Sequence, residues 1–169
     1  MTDDSIQGDQ AFRRENLRGR NPEMTFGGAL SFLRRNYTKD LDGVDIAVTG
    51  IPFDMATSNR PGTRFGPRAL RAGSVGLAEL EAYPFGFDPF TYLSVADYGD
   101  CFIDYGYPQH AEAVIEQHAD QILSSDTMML SMGGDHYITY PLLKAHAKKY
   151  GPLSLIHFDA HCDTGDDYL

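Results

Sequence analysis

Asp159, His161 and Asp163 stand at every second position of the stretch Leu153-Ser154-Leu155-Ile156-His157-Phe158-Asp159-Ala160-His161-Cys162-Asp163. Its first half is apolar and β-favouring, which predicts a buried strand over 153–159, and alternation along an extended backbone sends the three donors to one face. Two carboxylates and an imidazole crowded on one side are costly to desolvate unless something positive sits among them. A metal ion is the simplest occupant. A second fragment, Thr127-Met128-Met129-Leu130-Ser131-Met132-Gly133-Gly134-Asp135-His136, repeats the design. Its apolar strand ends in a Gly-Gly pair, which permits a sharp turn and close backbone approach, and it then presents His136. If the two strands are parallel neighbours, their carboxyl ends lie together, where open α/β sheets bind ligands. His136, Asp159, His161 and Asp163 then converge.

Oxygen and imidazole donors without thiolate suit a hard or borderline cation such as manganese better than a structural zinc. Cys162 falls on the opposite parity and reads as a small core residue rather than a ligand. His157 shares the donors' parity but lies deeper in the strand, so it reads as a satisfied histidine behind the ligands. Asp135, beside His136, reads either as a support for that ligand or as a helix cap.

The elements that must position these groups follow from periodicity. Residues 44–51 form a β-branched run closed by Pro52, the pattern of a buried parallel strand. A turn-rich loop over 57–67 leaves it, and Pro67 opens a helix. Arg60 and Arg64 in that loop read as salt-bridge formers, because anion-binding groups would repel a cationic substrate. The aromatics of 82–92 read as packed against the sheet. Residues 93–97 read as a strand followed by Tyr98-Gly99-Asp100, with Asp97 and Asp100 at the strand end as turn or supporting groups rather than ligands. Helical spacing over 110–123 and 141–150 predicts two crossover helices, with His110 and His118 structural and His146 on the surface. The order predicts a three-layer αβα domain with a mainly parallel sheet and strands near 45–51, 93–97, 127–132 and 153–159.

With 169 residues, 42% hydrophobic and 12% aromatic, the chain can bury a core in one domain. Residues 1–22 are polar and mixed in charge and read as a flexible or partner-contacting arm, leaving 23–169 as part of a single globular domain. Phe26 to Arg35 reads as a short amphipathic segment. No apolar run approaches the roughly 20 residues a bilayer span needs, and the N-terminus lacks a signal-peptide core. Two separated cysteines, Cys101 and Cys162, suit a reducing compartment, so a soluble cytoplasmic protein is expected. A net charge of -10 argues against nucleic acid and mildly favours a cationic substrate.

Gly133-Gly134-Asp135-His136 followed by Asp159-Ala160-His161-Cys162-Asp163 resembles the first two metal-binding signatures of the ureohydrolases, the arginase and agmatinase family of binuclear manganese hydrolases. The resemblance runs from about Met24 to Asp163. It is nearest the bacterial agmatinase branch through Gly50-Ile51-Pro52-Phe53-Asp54-Met55-Ala56-Thr57-Ser58, Arg64-Phe65-Gly66-Pro67-Arg68-Ala69 and Pro141-Leu142-Leu143-Lys144-Ala145-His146-Ala147. It implies an arginase-like fold and two Mn(2+) ions per active site. Asp159 would bridge both, His136 and Asp163 would complete one, and His161 would serve the other. A hydroxide shared by the ions would then cleave agmatine to putrescine and urea. The resemblance also implies a homo-oligomer, trimer or hexamer, with the 26–35 region near subunit contacts. A further Asp-x-Asp ligand pair, a proton-shuttling histidine and an acidic residue for the guanidinium are expected beyond Leu169, so the chain reads as the N-terminal part of such an enzyme. Other readings are the same chemistry on another guanidino compound such as guanidinobutyrate, a non-catalytic fragment and, more distantly, a zinc deacetylase of related architecture. That last needs one metal, whereas Asp163 as a further donor points to two.

Overall fold

The structure, a computed structural model, describes residues 10–12, 17–18, 26–78 and 80–165. Four parallel strands form one sheet in the order β1-β3-β2-β4, with β1 at Asn36–Tyr37, β2 at Ile46–Ile51, β3 at Val95–Asp100 and β4 at Met128–Gly133. The helices are α1 (Gly66–Ser74), α2 (Ala111–Leu123) and α3 (Thr139–Tyr150). β2 is central and almost wholly buried, as its uncharged, β-branched run suits a strand covered on both faces. Among the described residues no helix is long and apolar enough to cross a membrane.

Alternation along β2 divides the core between two layers. Val48 joins Val95, Met132 and Phe90 on one face, where α1 and the 32–34 turn pack. Ala47 and Ile51 point the other way: Ala47 meets Ala96, Tyr98 and Ile122, and Ile51 meets Cys101, Ile103 and Ile115, so that α2 covers this side with α3 against it. Thr49 also faces α2. Its hydroxyl donates to Gly99 O at 2.9 Å, so the 2.7 Å contact to His118 is made by the ring's Nε2–H donating to Thr49 Oγ1. Burial, and then the nearby Lys39 cation, push the His118 pKa down to about 4, and the ring stays neutral in the core.

Several expectations are corrected. Residues 153–158 form no sheet hydrogen bonds, and Ile156 and Phe158 are 80% and 93% exposed. A parallel edge strand is stable when layers cover both its faces, and no described element covers this run. Its neighbour β4 is correspondingly half-exposed. The second expected strand lies later than 93–97, at Val95–Asp100, so Asp97 and Asp100 sit within it rather than in a turn. Asp97 is fully buried and binds Arg71 of α1 in bidentate fashion, at 2.7 and 2.9 Å, while Arg71 Nη1 reaches Asp100 at 2.6 Å. Burial works against the Arg71 charge, but the two carboxylates outweigh it and raise its pKa. In the 82–92 loop only Phe90 is buried; Tyr83, Phe85, Phe87 and Tyr92 are exposed. The 26–35 segment is not simply amphipathic, since it buries Arg34 and Arg35 and leaves Phe26 and Leu30 outside. Most of the expected arm over 1–22 lies outside the described residues; of those described, Ala11 is buried and Leu17 packs on the core beside Leu41.

Candidate metal centre

β4 delivers His136 to the carboxyl edge of the sheet through a turn that only glycine fits. Gly134 has φ 65, and a Cβ there would lie 2.4 Å from Ile51 O and 2.7 Å from Phe53 O at the end of β2. The turn is tied down by Asp135, whose backbone N–H donates to Phe53 O at 2.7 Å and whose Oδ2 accepts the Ala56 N–H at 2.8 Å. Desolvation raises the pKa of this buried carboxyl. The 54–65 loop beside it is fixed by a second buried carboxylate, Asp54, which accepts from Gly62 N at 2.6 Å and from Arg64 Nε at 2.7 Å. Arg64 is therefore a salt-bridge former as read from sequence, with its guanidinium also over the Tyr105 ring at 4.3 Å.

The segment after α3 comes back across this turn. Asp159 Oδ2 lies 3.4 Å from His136 Nδ1, and Asp163 Oδ2 lies 3.1 Å from His136 Nε2. The backbone at Asp163 is left-handed, φ 51, a conformation that Asp tolerates better than most residues. His157 Nε2 lies 3.7 Å from the same Asp159 Oδ2, and its ring centroid is 5.2 Å from that of His136. One donor atom each from His136, His157, Asp159 and Asp163 lies within 4.8 Å of all the others.

His161 stands apart from this group, on the opposite side of Asp159. Its Nδ1 is 3.5 Å from Asp159 Oδ1 and its side chain is 83% exposed, against 26% for His157. The physical cause is local. The His161 N–H donates to Asp159 Oδ1 at 2.8 Å, an Asx-type turn that bends the chain at 159–161 and ends the two-residue alternation. His157, within the extended part, keeps parity with Asp159. Cys162 is exposed, not a core residue, for the same reason.

The Asp159 carboxylate thus has two differently furnished sides: Oδ2 faces His136 and His157, and Oδ1 faces His161. The His161 N–H first, and then the surrounding imidazoles, hold its pKa below the ordinary carboxylate value. Bonds of about 2.1 Å put the donors of one ion roughly 3 to 4.2 Å apart, so the spacings at Oδ2 fit a divalent cation. Carboxylates and imidazoles without thiolate are the donor set of a hard or borderline ion. Beside the cluster opens a cleft of about 390 Å³, lined among others by His136, Tyr137, Tyr140, Leu155, His157 and Asp163. His157, expected behind the ligands, stands within the same group of donor atoms, and its parity with Asp159 is the sequence signal for that placement.

The fold is a three-layer parallel α/β domain with imidazoles and carboxylates gathered at the carboxyl edge of its sheet, where open α/β sheets bind ligands. The profile of the arginase family matches residues 44–169, and the chain belongs to that family. It is 58% identical over 168 residues to an agmatinase of Chromobacterium violaceum, covering 99% of this chain and 52% of that protein. The crystal structure of a hypothetical agmatinase from Burkholderia thailandensis superposes with a TM-score of 0.90 at 61% identity, covering 96% of this chain and 51% of that one. Proclavaminate amidino hydrolase from Streptomyces clavuligerus superposes with a TM-score of 0.76 at 30% identity, covering 87% and 48%. The chain spans about half the length of the relatives it matches.

Proposed function

We propose that this chain is the ligand-bearing N-terminal portion of a manganese-dependent hydrolase that cleaves agmatine to putrescine and urea. The observation that carries the reading is the Asp159 carboxylate between two donor groups, with His136 3.4 Å from one oxygen and His161 3.5 Å from the other. In this reading His136, Asp159 and Asp163 hold one manganese ion, while Asp159 and His161 present donors to a second. When bound, such a pair lowers the pKa of water and supplies a nucleophile at neutral pH, which the delocalised guanidinium carbon demands. His136 is held by the Gly134 turn and the Asp135 anchor, and so fixes where the other donors must meet. The chain's net charge of -10 favours a substrate with a cationic tail over one carrying a carboxylate. Agmatine has such a tail, and the agmatinase names of the most similar relatives support the choice.

The test is urea release. With manganese added, a full-length version of this chain should release urea from agmatine faster than from guanidinobutyrate or arginine. The 169-residue chain alone should release almost none, because its described residues offer too few donors for two ions and no group that receives the guanidinium. Preference for guanidinobutyrate would overturn the substrate and keep the chemistry. No urea from any guanidino compound would overturn both.

A further inference from the structure

We infer that a second cleft binds a small zwitterion, a short aminocarboxylic acid whose carboxylate is held by Lys39 and whose ammonium is held by Asp100 and His118. The cleft, of about 330 Å³, opens where Lys39 follows β1, Asp100 ends β3, and Gln117, His118 and Gln121 stand on α2. It lies on the far side of β2 from β4 and the His136 turn, so the inference stands apart from the hydrolase reading.

Three of its groups face the cleft with bonding capacity to spare. Lys39 packs its ammonium 3.8 Å over the Tyr98 ring and has no hydrogen bond or ion pair among the described residues. Burial lowers its pKa against the opposing pull of Asp100, as expected of an ammonium that has lost water without gaining a partner. His118 is only 8% exposed, yet it lines the cleft. Its Nε2–H donates to Thr49, so Nδ1 is a bare acceptor, and that atom has no hydrogen bond among the described residues. Asp100 accepts from Arg71 through Oδ1 at 2.6 Å, and its Oδ2 has no hydrogen bond among the described residues.

Lys39 and Asp100 thus line one cavity with opposite charges and do not pair with each other. A molecule carrying both complementary charges satisfies both walls, whereas an anion alone meets the Asp100 carboxylate and a cation alone meets Lys39. Cys101 adds no charge, since burial pushes its thiol up to about 12. Gln117 and Gln121, one turn apart on α2, offer amide donors to the ligand's second carboxylate oxygen. The volume is at the lower end for ligand sites and suits a molecule of roughly two to four carbons.

Saturation-transfer difference NMR on the metal-free protein tests this, with glycine and β-alanine as probes and acetate and ethylammonium as single-charge controls. At least one zwitterion should bind saturably with a Kd on the order of 1 to 10 mM, and the controls about tenfold more weakly or worse. Lys39→Met should weaken zwitterion binding on the order of tenfold, while Lys39→Arg should stay within about threefold of the wild type. Gln117→Trp, which fills the cleft from the exposed face of α2, should abolish binding. Lys148→Met, which removes a cation of α3 outside the cleft, should leave it unchanged. Far-UV circular dichroism checks that each variant keeps its fold. No saturable binding of either probe, acetate binding as tightly as the zwitterions, unchanged binding in Lys39→Met or Gln117→Trp, or equal loss in Lys39→Met and Lys148→Met would each overturn the inference.

Discussion

Gly134→Ala tests whether the turn before His136 is shaped by steric contact or merely by backbone preference. The structure contains its own control. Gly134 and Gly86 have nearly equal left-handed φ values, 65° and 67°. A Cβ at Gly134 would lie 2.4 and 2.7 Å from two backbone carbonyl oxygens, while at Gly86 it would meet nothing within 4 Å. Both alanines incur the left-handed penalty of about 1 to 2 kcal/mol. Only the first adds overlap with immovable backbone, about 1 to 3 kcal/mol more. Gly86→Ala is therefore expected to cost about 1 to 2 kcal/mol and Gly134→Ala about 2 to 5, read from urea midpoints at constant m-value. Because the overlap is relieved by moving the turn, Gly134→Ala should also weaken manganese binding on the order of tenfold, and Gly86→Ala should not. Equal destabilisation by the two substitutions, within about 0.5 kcal/mol, would refute the steric account. Unchanged metal affinity in Gly134→Ala would separate the turn from the site.

Two further outcomes follow from the core. Arg71→Met should destabilise by about 3 to 5 kcal/mol in urea unfolding, because it leaves Asp97 buried without its bidentate counter-charge, and adding Asp97→Asn should recover part of the loss. An Arg71→Met cost below about 1 kcal/mol would mean that the pair contributes little. His118 is held neutral with its pKa near 4, below the ordinary value of 6.5, so the unfolded chain takes up the proton first as pH falls. Its contribution is fully present above about pH 6.5 and is lost progressively toward pH 4, about 3 kcal/mol in all. His118→Gln should flatten that part of the stability profile between pH 7 and 4.5, and an unchanged slope would show that burial does not control this group.

What could be read from sequence was whatever local pattern determines. β2 announces itself because its run is rich in β-branched residues and carries no charge along its whole length, and α2 because Ile115, Ala119 and Ile122 recur at helical spacing onto the sheet. β3 was misplaced because Asp97, Gly99 and Asp100 carry turn chemistry, and the reason they sit in a strand is a helix residue 26 positions earlier in sequence. No local reading finds that partner. The run at 153–158 has strand composition, yet pairing is a tertiary event that needs covering layers on both faces. The convergence of His136, Asp159 and Asp163 was legible from the two motifs, although only the first stands at a strand end and the second is brought there by an extended segment that joins no sheet. That His161 stands apart from the donor group was not legible, because it turns on one Asx bend that breaks the alternation just where the candidate donors begin.

That bend bears on how the two halves of the centre are held. His136 stands on β4, seated by Gly134 against β2 and fastened through Asp135 to Phe53 and Ala56. The ion-pair and side-chain contacts of Asp159 and Asp163, in contrast, are with His136, His157 and the turn that includes His161. One half of the site is therefore built by the core, while the other is positioned largely by the site itself. An ion joining His136 to Asp159 and Asp163 would cross-link these halves and remove the mutual repulsion of the two carboxylates, so that its binding free energy would also be folding free energy for residues 153–163. Ligand residues on this arm then serve structure as much as chemistry, and proteolysis within 153–163 should slow when manganese is added to the wild-type chain but not when it is added to Asp159→Asn.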